Sequence, residues 1–238
     1  MSEYRAVFQK RHALFAVIHV KDSEQALRNV DIARSEGADG VFLINHDNTP
    51  YQFLFHWQRM AKEKHPAFWI GINCLNLTPV STFRTINNFG KYQNTVDGVW
   101  CDDGGIDDAP EQSVRVAREI LAERQRNQYR GLHFGGVAFK HQKLSKDPAK
   151  AARLATPFMD VVTTSGDATG IAADVQKICR MKGAIGAFPL AIASGITPEN
   201  VEQYMPYADC FLVASGISNS FTELNPKRVN MLAKKLAG

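Results

Sequence analysis

Cysteine is scarce in this sequence: the 238 residues include four cysteines, and no two of them form a C-x-x-C pair. Cysteine-based metal sites and disulfide frameworks need closer or regularly spaced residues, so the pattern favours buried free thiols. No H-E-x-x-H sequence and no histidine cluster is present either. No metal is therefore predicted, although Asp102 and Asp103 leave a divalent cation open. The four cysteines are Cys74, Cys101, Cys179 and Cys210.

Long hydrophobic runs and an excess of one charge are also missing. No stretch approaches the roughly 18 apolar residues of a transmembrane helix, and the segment from Met1 to His12 lacks the apolar core of a signal peptide. The 28 Lys and Arg residues against 24 Asp and Glu residues leave a net charge of +4. We therefore expect a cytoplasmic protein with no membrane insertion and no nucleic-acid partner, because a nucleic-acid groove needs clustered basic residues.

Apolar segments of strand length recur along the chain with helical patterns between them. Eight strands alternating with eight helices predict an α/β protein with a closed (β/α)₈ TIM barrel. A doubly wound open sheet is the alternative, but it usually has fewer strands and leaves the last repeats unexplained. We expect a single domain over residues 1–238, with 1–12 as an N-terminal extension. The strands are predicted at 13–20, 40–45, 68–73, 98–101, 131–139 and 159–164, and two more begin near 189 and 210.

Three successive strands end in Ser-Gly, and these turns are the clearest functional signal. A glycine turn after a buried strand lets backbone N–H groups approach an anion, and TIM barrels often bind phosphate after strands 7 and 8. Tight turns without a ligand are the alternative. A helix is predicted after the seventh strand, with Thr197 as its N-cap and Pro198 as its first residue. The predicted phosphate-binding residues are Ser165, Gly166, Thr169, Gly170, Ser194, Gly195, Ser215 and Gly216.

Polar side chains at the other strand ends are candidates for catalysis. Barrel strands alternate between the interior and the helix layer, so one of Asp102 and Asp103 points inward, not both. On the fifth strand, Val137 and Phe139 suit the helix layer and place Lys140 at the mouth. An amine facing a carboxylate suits proton abstraction beside a carbonyl, Schiff-base chemistry or acid-assisted loss of a leaving group. The predicted catalytic residues are Lys140, Asp102, Asp103, Asn73 and His19; salt bridges, caps and turns are their structural alternatives.

Several motifs together resemble the BtpA family, which includes SgcQ-like proteins. They are Gly71-Ile-Asn-Cys-Leu-Asn76, Val137-Ala-Phe-Lys-His141, Val162-Thr-Thr-Ser-Gly-Asp-Ala-Thr-Gly170, Ala193-Ser-Gly-Ile-Thr-Pro-Glu-Asn200, Leu212-Val-Ala-Ser-Gly-Ile-Ser218 and Asn225-Pro-Lys-Arg-Val229. The resemblance covers roughly residues 39–236 and is most specific in the second half of the chain.

The resemblance implies a phosphate-binding barrel similar to the indole-glycerol-phosphate and phosphoribosylanthranilate enzymes. It also implies a link to photosystem I biogenesis for the family's first member and to sugar metabolism for its relatives. Two segments depart from the family. His19 is followed by Val20-Lys21-Asp22 instead of a Pro- and Gly-rich loop, and the segment after the fourth strand is shortened to residues 102–107. Both departures remodel the mouth of the barrel.

We expect an enzyme that acts on a small phosphorylated sugar or nucleotide-like metabolite by isomerase, lyase or nucleosidase-type chemistry. No Walker or dinucleotide-binding pattern occurs, so no nucleoside triphosphate, NAD or other cofactor is predicted. A non-enzymatic accessory or assembly factor that retains the barrel is the second hypothesis. A metal-dependent aldolase or hydrolase centred on Asp102 and Asp103 is the third. The sequence leaves the substrate open, and also whether the chain forms a homo-oligomer.

Overall fold

Eight parallel strands form a closed barrel in which each strand pairs with its neighbours in chain order, and β8 pairs with β1. The computed structural model describes residues 2–46, 49–88, 95–108, 114–140, 142–168 and 170–238. The prediction of a TIM barrel is confirmed. The strands are β1 (Ala13–Val20), β2 (Gly40–Asn45), β3 (Trp69–Asn73), β4 (Gly98–Cys101), β5 (Leu132–Gly136), β6 (Val161–Thr164), β7 (Leu190–Ala193) and β8 (Cys210–Val213).

Helices alternate with the strands, and several of them begin at a residue whose side chain caps the first turn. Asp22, Asp147 and Asn225 each accept a backbone N–H from the first turn of the helix that follows. No helix in the described part of the chain is long and apolar enough to cross a membrane. The helices are α1 (Glu3–Val7), α2 (Ser23–Ser35), α3 (Tyr51–Lys64), α4 (Pro79–Asn88), α5 (Arg115–Arg126), α6 (Pro148–Ala155), α7 (Val175–Ile185) and α8 (Pro226–Ala237).

The helix predicted after β7 is wrong in extent, since only a short 3₁₀ turn forms at Val201–Gln203. The cap itself is present, because the N–H of Glu199 donates to Thr197 Oγ1 at 3.1 Å. Pro206 lacks an N–H and disfavours helical backbone at the residue before it, which prevents the turn from growing into a helix.

Aromatic rings fill the interior of the barrel, and the N-terminal segment closes its lower end. Phe15 lies 4.9 Å from Trp69 and 5.5 Å from Phe134, measured between ring centroids. Tyr4 and Phe8, on and just after α1, belong to the same buried cluster. Because the lower half is solid, a ligand can enter the barrel only from the opposite end, where the carboxyl ends of the strands lie.

An aspartate clamp repeats four times at the lower end. The residue before each even-numbered strand is an aspartate that accepts the N–H of the first or second residue of the preceding strand and pairs with a basic side chain. These ties hold consecutive strands in register at the face that carries stability in this fold. The clamps are Asp39 with Leu14 and Lys10, Asp97 with Ile70 and Lys62, Asp160 with His133 and Arg124, and Asp209 with Leu190 and Lys182.

Beyond Gly136 the fifth strand departs from the predicted alternation. Val137 packs in the helix layer as expected, but Phe139 joins the interior cluster and lies 6.1 Å from Trp100 between ring centroids. The prediction for Phe139 is therefore wrong. Its physical cause is Ala138, whose φ of 47° interrupts the alternation of side chains after the strand has ended at Gly136.

Candidate functional site

A cavity of about 650 Å³ opens at the carboxyl ends of the strands. Its floor consists of inward-facing apolar side chains, and its walls consist of residues that follow the strands. Phe221, in the loop between β8 and α8, and His46, after β2, line it as well. A cavity of this size lies within the range of about 300–1,000 Å³ that is usual for small-molecule sites. The floor residues are Val17, Ile44, Trp100, Ala193 and Leu212.

Most residues that the sequence nominates meet in this cavity. Asn73, Asp103, Ser165 and Gly166 do not line it, and Thr169 lies outside the described residues. The sequence nominates neither Phe221 nor His46. Only its position after a strand end could have pointed to His46, whereas Phe221 lies in a loop without a recognisable pattern. The nominated residues that line the cavity are His19, Asp102, Lys140, Gly170, Ser194, Gly195, Ser215 and Gly216.

Asp102, and not Asp103, is the acidic residue that lines the cavity. It has the same orientation as Trp100, two residues earlier, which faces the barrel interior. The buried Asn73 donates from Nδ2 to Asp102 Oδ1 at 2.9 Å and fixes the direction of the carboxylate. Asp103 is exposed and accepts from the N–H of Gly105 at 2.8 Å and from Gln142 Nε2 at 2.7 Å. Its contacts are those of a loop residue.

Lys140 is held by the turn that follows β5. Its N–H donates to Ser165 Oγ at 2.8 Å, and this hydroxyl donates to the Gly166 carbonyl at 2.8 Å. Ser165 is completely buried, so it joins the ends of β5 and β6 and does not face the cavity. Burial lowers the pKa of the Lys140 ammonium, while the negative charge of Asp102 raises it. Partial burial makes this ammonium a readier proton donor than a surface lysine.

A second lysine braces the same turn from beneath. Lys177, on α7, donates from Nζ to the Ala138 carbonyl at 2.6 Å and to the Ser165 carbonyl at 2.8 Å. Thr164 Oγ1 donates to the same Ala138 carbonyl at 3.2 Å. These bonds satisfy the carbonyl groups that the positive φ of Ala138 turns away from the strand ladder.

His19 lies beneath Phe221 in a three-ring cluster. The two rings stack with centroids 4.0 Å apart and planes 10° apart, and the edge of His46 lies 4.7 Å from His19. His19 Nδ1 is 2.8 Å from the carbonyl oxygen of Phe221. Since a carbonyl can only accept, Nδ1 carries the proton and Nε2 presents a lone pair. Burial, with smaller contributions from His46 and Lys140, lowers the pKa of His19 to about 4, so the ring is neutral at pH 7.

The Ser-Gly turns after β6, β7 and β8 pack directly against one another. A Cβ on Gly195 would lie 2.3 Å from the backbone of Ala172, and one on Gly216 would lie 1.8 Å from the Ile196 carbonyl oxygen. Gly195 also has a φ of 70°. This packing alone requires glycine at both positions. In addition, the N–H of Gly195, which lines the cavity, donates to no residue that the structure describes.

Arg228, at the first turn of α8, joins the turns after β7 and β8. Its Nε donates to the Gly216 carbonyl at 2.8 Å, and its two terminal nitrogens contact the Glu199 carboxylate at 3.1 and 2.8 Å. These hydrogen bonds lower the pKa of Glu199 to about 2. The Glu199 carboxylate compensates the positive charge of Arg228 through this bidentate pair. Arg228 therefore has a structural role at the turns.

The described ranges contain no group of three or more His, Cys, Asp or Glu side chains that could hold a metal ion. Asp102 and Asp103 diverge, as the contacts above show. The metal-dependent hypothesis stays a prediction.

Solved structures with the same fold include several enzymes. Phosphoribosyl anthranilate isomerase from Thermus thermophilus superposes with a TM-score of 0.65 at 13% identity, covering 94% of this chain and 98% of that one. (S)-3-O-geranylgeranylglyceryl phosphate synthase from Thermoplasma acidophilum, in complex with sn-glycerol-1-phosphate, superposes with a TM-score of 0.63 at 12% identity, covering 99% and 98%. At these identities the similarity concerns the fold alone.

Sequence comparison identifies the family. An uncharacterized protein of Pyrococcus abyssi is 25% identical over 227 residues, which cover 89% of this chain and 85% of the relative. The model of the BtpA family matches residues 14–237, nearly the whole barrel, and confirms the family predicted from the motifs. The chain belongs to the BtpA family.

Proposed function

We propose that the protein is an enzyme that acts on a small phosphorylated sugar or nucleotide-like metabolite. The observation that carries the proposal is the cavity at the mouth, where the turns after β7 and β8 lie together with His19, Asp102 and Lys140. The enzymes with the same fold support it, since two of them act on phosphorylated compounds according to their names. An accessory protein would not need a neutral histidine, an oriented carboxylate and a half-buried ammonium in one cavity.

The phosphate of this substrate is anchored at the turns after β7 and β8. Gly195 lines the cavity, its N–H donates to none of the described residues, and the neighbouring turn supplies Ser215 and Gly216. Backbone N–H groups in such turns stabilise an anion by charge-assisted hydrogen bonds. Ser165 and Gly166 support this region from outside the cavity, Gly170 closes one side, and a role for Thr169 stays a prediction.

Lys140 and Asp102 carry the proton chemistry at the other end of the substrate. Lys140, with its lowered pKa, donates a proton to a developing oxyanion or a leaving group. Asp102, oriented by Asn73, accepts a proton or stabilises positive charge. His19 Nε2 accepts a hydrogen bond from a substrate hydroxyl. These roles fit isomerisation, carbon–carbon or carbon–nitrogen lysis, and glycosyl hydrolysis; Asp103 acts on the loop that carries Asp102.

Ligand-dependent thermal unfolding tests the proposal. Binding to the folded state stabilises it by about 2.7 kcal/mol at a ligand concentration of 100 Kd, which raises the Tm of a chain of this size by about 5–10 °C. We expect such a rise with ribose 5-phosphate and a smaller one with inorganic phosphate. Unchanged Tm values at millimolar concentrations of both would refute phosphate anchoring.

Matched aspartate variants locate the anion. Ser215→Asp places a carboxylate in the cavity wall and should abolish the ligand-induced rise in Tm. Ser35→Asp, at the exposed end of α2 on the opposite side of the barrel, should retain it. Equal responses of the two variants would place the phosphate elsewhere. Lys140→Met and Asp102→Asn should bind ribose 5-phosphate and lose turnover of any substrate found by NMR screening of phosphorylated metabolites.

A further inference from the structure

An aromatic ring at the mouth of the barrel is left uncovered. Phe221 lines the cavity, yet it is 55% exposed. One face of the ring stacks on His19, and the edge of His46 lies 5.1 Å away between centroids. The rest of the ring is open. A large apolar side chain exposed in a cavity marks a surface that a ligand covers.

Buried amides hold the loop that carries this ring. Gln25 and Asn29, both buried in α2, donate to the Thr222 carbonyl at 2.5 and 3.1 Å. Asn29 Oδ1 accepts the N–H of Leu224 at 2.7 Å. With the His19 contact to the Phe221 carbonyl, these bonds hold the backbone from Phe221 to Leu224. The ring is therefore preorganised, and stacking on it costs little ordering of the loop.

A hydrogen-bond acceptor belongs to the same stacked pair as Phe221. His19 is neutral, and its Nδ1 donates to the Phe221 carbonyl at 2.8 Å. Its Nε2 is therefore an acceptor for a donor group on a ligand. The aromatic ring and this acceptor both line the cavity.

We propose that the substrate carries a planar heteroaromatic ring that stacks on Phe221 while its phosphate occupies the turns after β7 and β8. The inference rests on the proposed function and narrows its substrate to a nucleotide-type compound, with the ring attached to a phosphorylated sugar. A plain sugar phosphate would leave the exposed part of the Phe221 ring uncovered.

Calorimetric titration with two probes separates this inference from the proposed function. Ribose 5-phosphate reports phosphate anchoring, and uridine 5′-monophosphate adds the ring. Stacking of a base on an aromatic side chain is worth about tenfold or more in affinity, so we expect the Kd for uridine 5′-monophosphate to be at least about tenfold lower. Phe221→Ala should raise that Kd about tenfold, and Phe221→Leu, which keeps an apolar contact without a flat ring, should raise it by a similar factor.

A matched variant completes the design. Phe53→Ala removes a phenylalanine of similar exposure, 51%, on α3 outside the cavity lining, and should leave the Kd unchanged. Thermal unfolding of each variant confirms that it is folded.

The outcomes are distinct. Equal affinities for the two probes would overturn the aromatic subsite and leave phosphate anchoring in place. Tighter nucleotide binding that survives both Phe221 variants would also overturn it, because the ring would then be recognised elsewhere. If neither probe binds, the proposed function is overturned, and this inference with it.

Discussion

Replacing His19 by asparagine tests whether this ring is neutral in the folded protein. The pKa of His19 is lowered from about 6.5 to about 4, chiefly by burial under Phe221. Because the unfolded chain then binds more protons between about pH 4 and 6.5, the free energy of unfolding falls as the pH is lowered through this window. One pKa unit corresponds to about 1.4 kcal/mol, and partial exposure of the ring reduces the effect. The titration of His19 therefore makes the free energy of unfolding about 2–3 kcal/mol larger above pH 6.5 than near pH 4.

The asparagine variant removes the titration but retains a donor for the Phe221 carbonyl. Urea unfolding of both proteins at pH 7.5, 6.5, 5.5 and 4.5 measures the effect. We expect the wild type to lose about 2 kcal/mol more than His19→Asn between the first and the last pH. His133, whose buried ring has a pKa lowered to about 3, titrates in both proteins and cancels in the difference.

A second histidine provides the control for this measurement. His56, exposed on α3, lies outside the cavity, and His56→Asn should follow the wild-type pH dependence. If His19→Asn and the wild type lose stability in parallel, folding does not lower the pKa of His19. The burial of its ring beneath Phe221 would then be refuted.

Three further predictions concern the frame of the site. Gly216→Ala should lower the free energy of unfolding by more than about 2 kcal/mol in urea unfolding, because the new methyl group would collide with the Ile196 carbonyl. Gly183→Ala is the control: this glycine lies on α7 with no atom within 4 Å of the new methyl group, and the substitution should raise the free energy of unfolding by about 0.5–1 kcal/mol. Asp160→Ala should lower the free energy of unfolding by about 3 kcal/mol in the same assay. The substitution removes the carboxylate that pairs with Arg124 and accepts the His133 N–H in the aspartate clamp before β6. In the native protein, a thiol reagent at pH 8 should modify Cys179 rapidly and the three buried cysteines only on unfolding; rapid modification of more than one thiol would contradict the packing.

Local patterns in the sequence are sufficient to predict the barrel. The bounds of β1, β2 and β4 agree with the apolar segments, and Asp22, Asp147 and Asn225 mark helix starts by their capping chemistry. The family motifs lead to the same fold, and the family model confirms them. Two of the four aspartate clamps share an Asp-Gly-Val pattern at the start of a strand, Asp39-Gly-Val41 at β2 and Asp97-Gly-Val99 at β4.

The departures arise where a contact distant in sequence outweighs the local pattern. Phe139 was assigned to the helix layer by alternation, but the positive φ of Ala138, supported by Lys177 and Thr164, turns it into the interior. The alternation of side chains along a strand does not predict such a break. The break depends on hydrogen bonds to carbonyl groups from residues on other elements.

The order of strands, the polar strand ends and the glycine turns follow from the sequence by itself, because apolar periodicity, capping residues and glycine act locally. The tertiary structure decided which of these ends share one cavity. It separated Asp102 from Asp103, buried Ser165 beneath Lys140, and placed Phe221 on His19 from a loop 202 residues further along the chain. Such choices depend on contacts between segments that only the closure of the barrel brings together. The Ser-Gly turns therefore mark one side of the cavity and do not indicate that Phe221 stacks on His19.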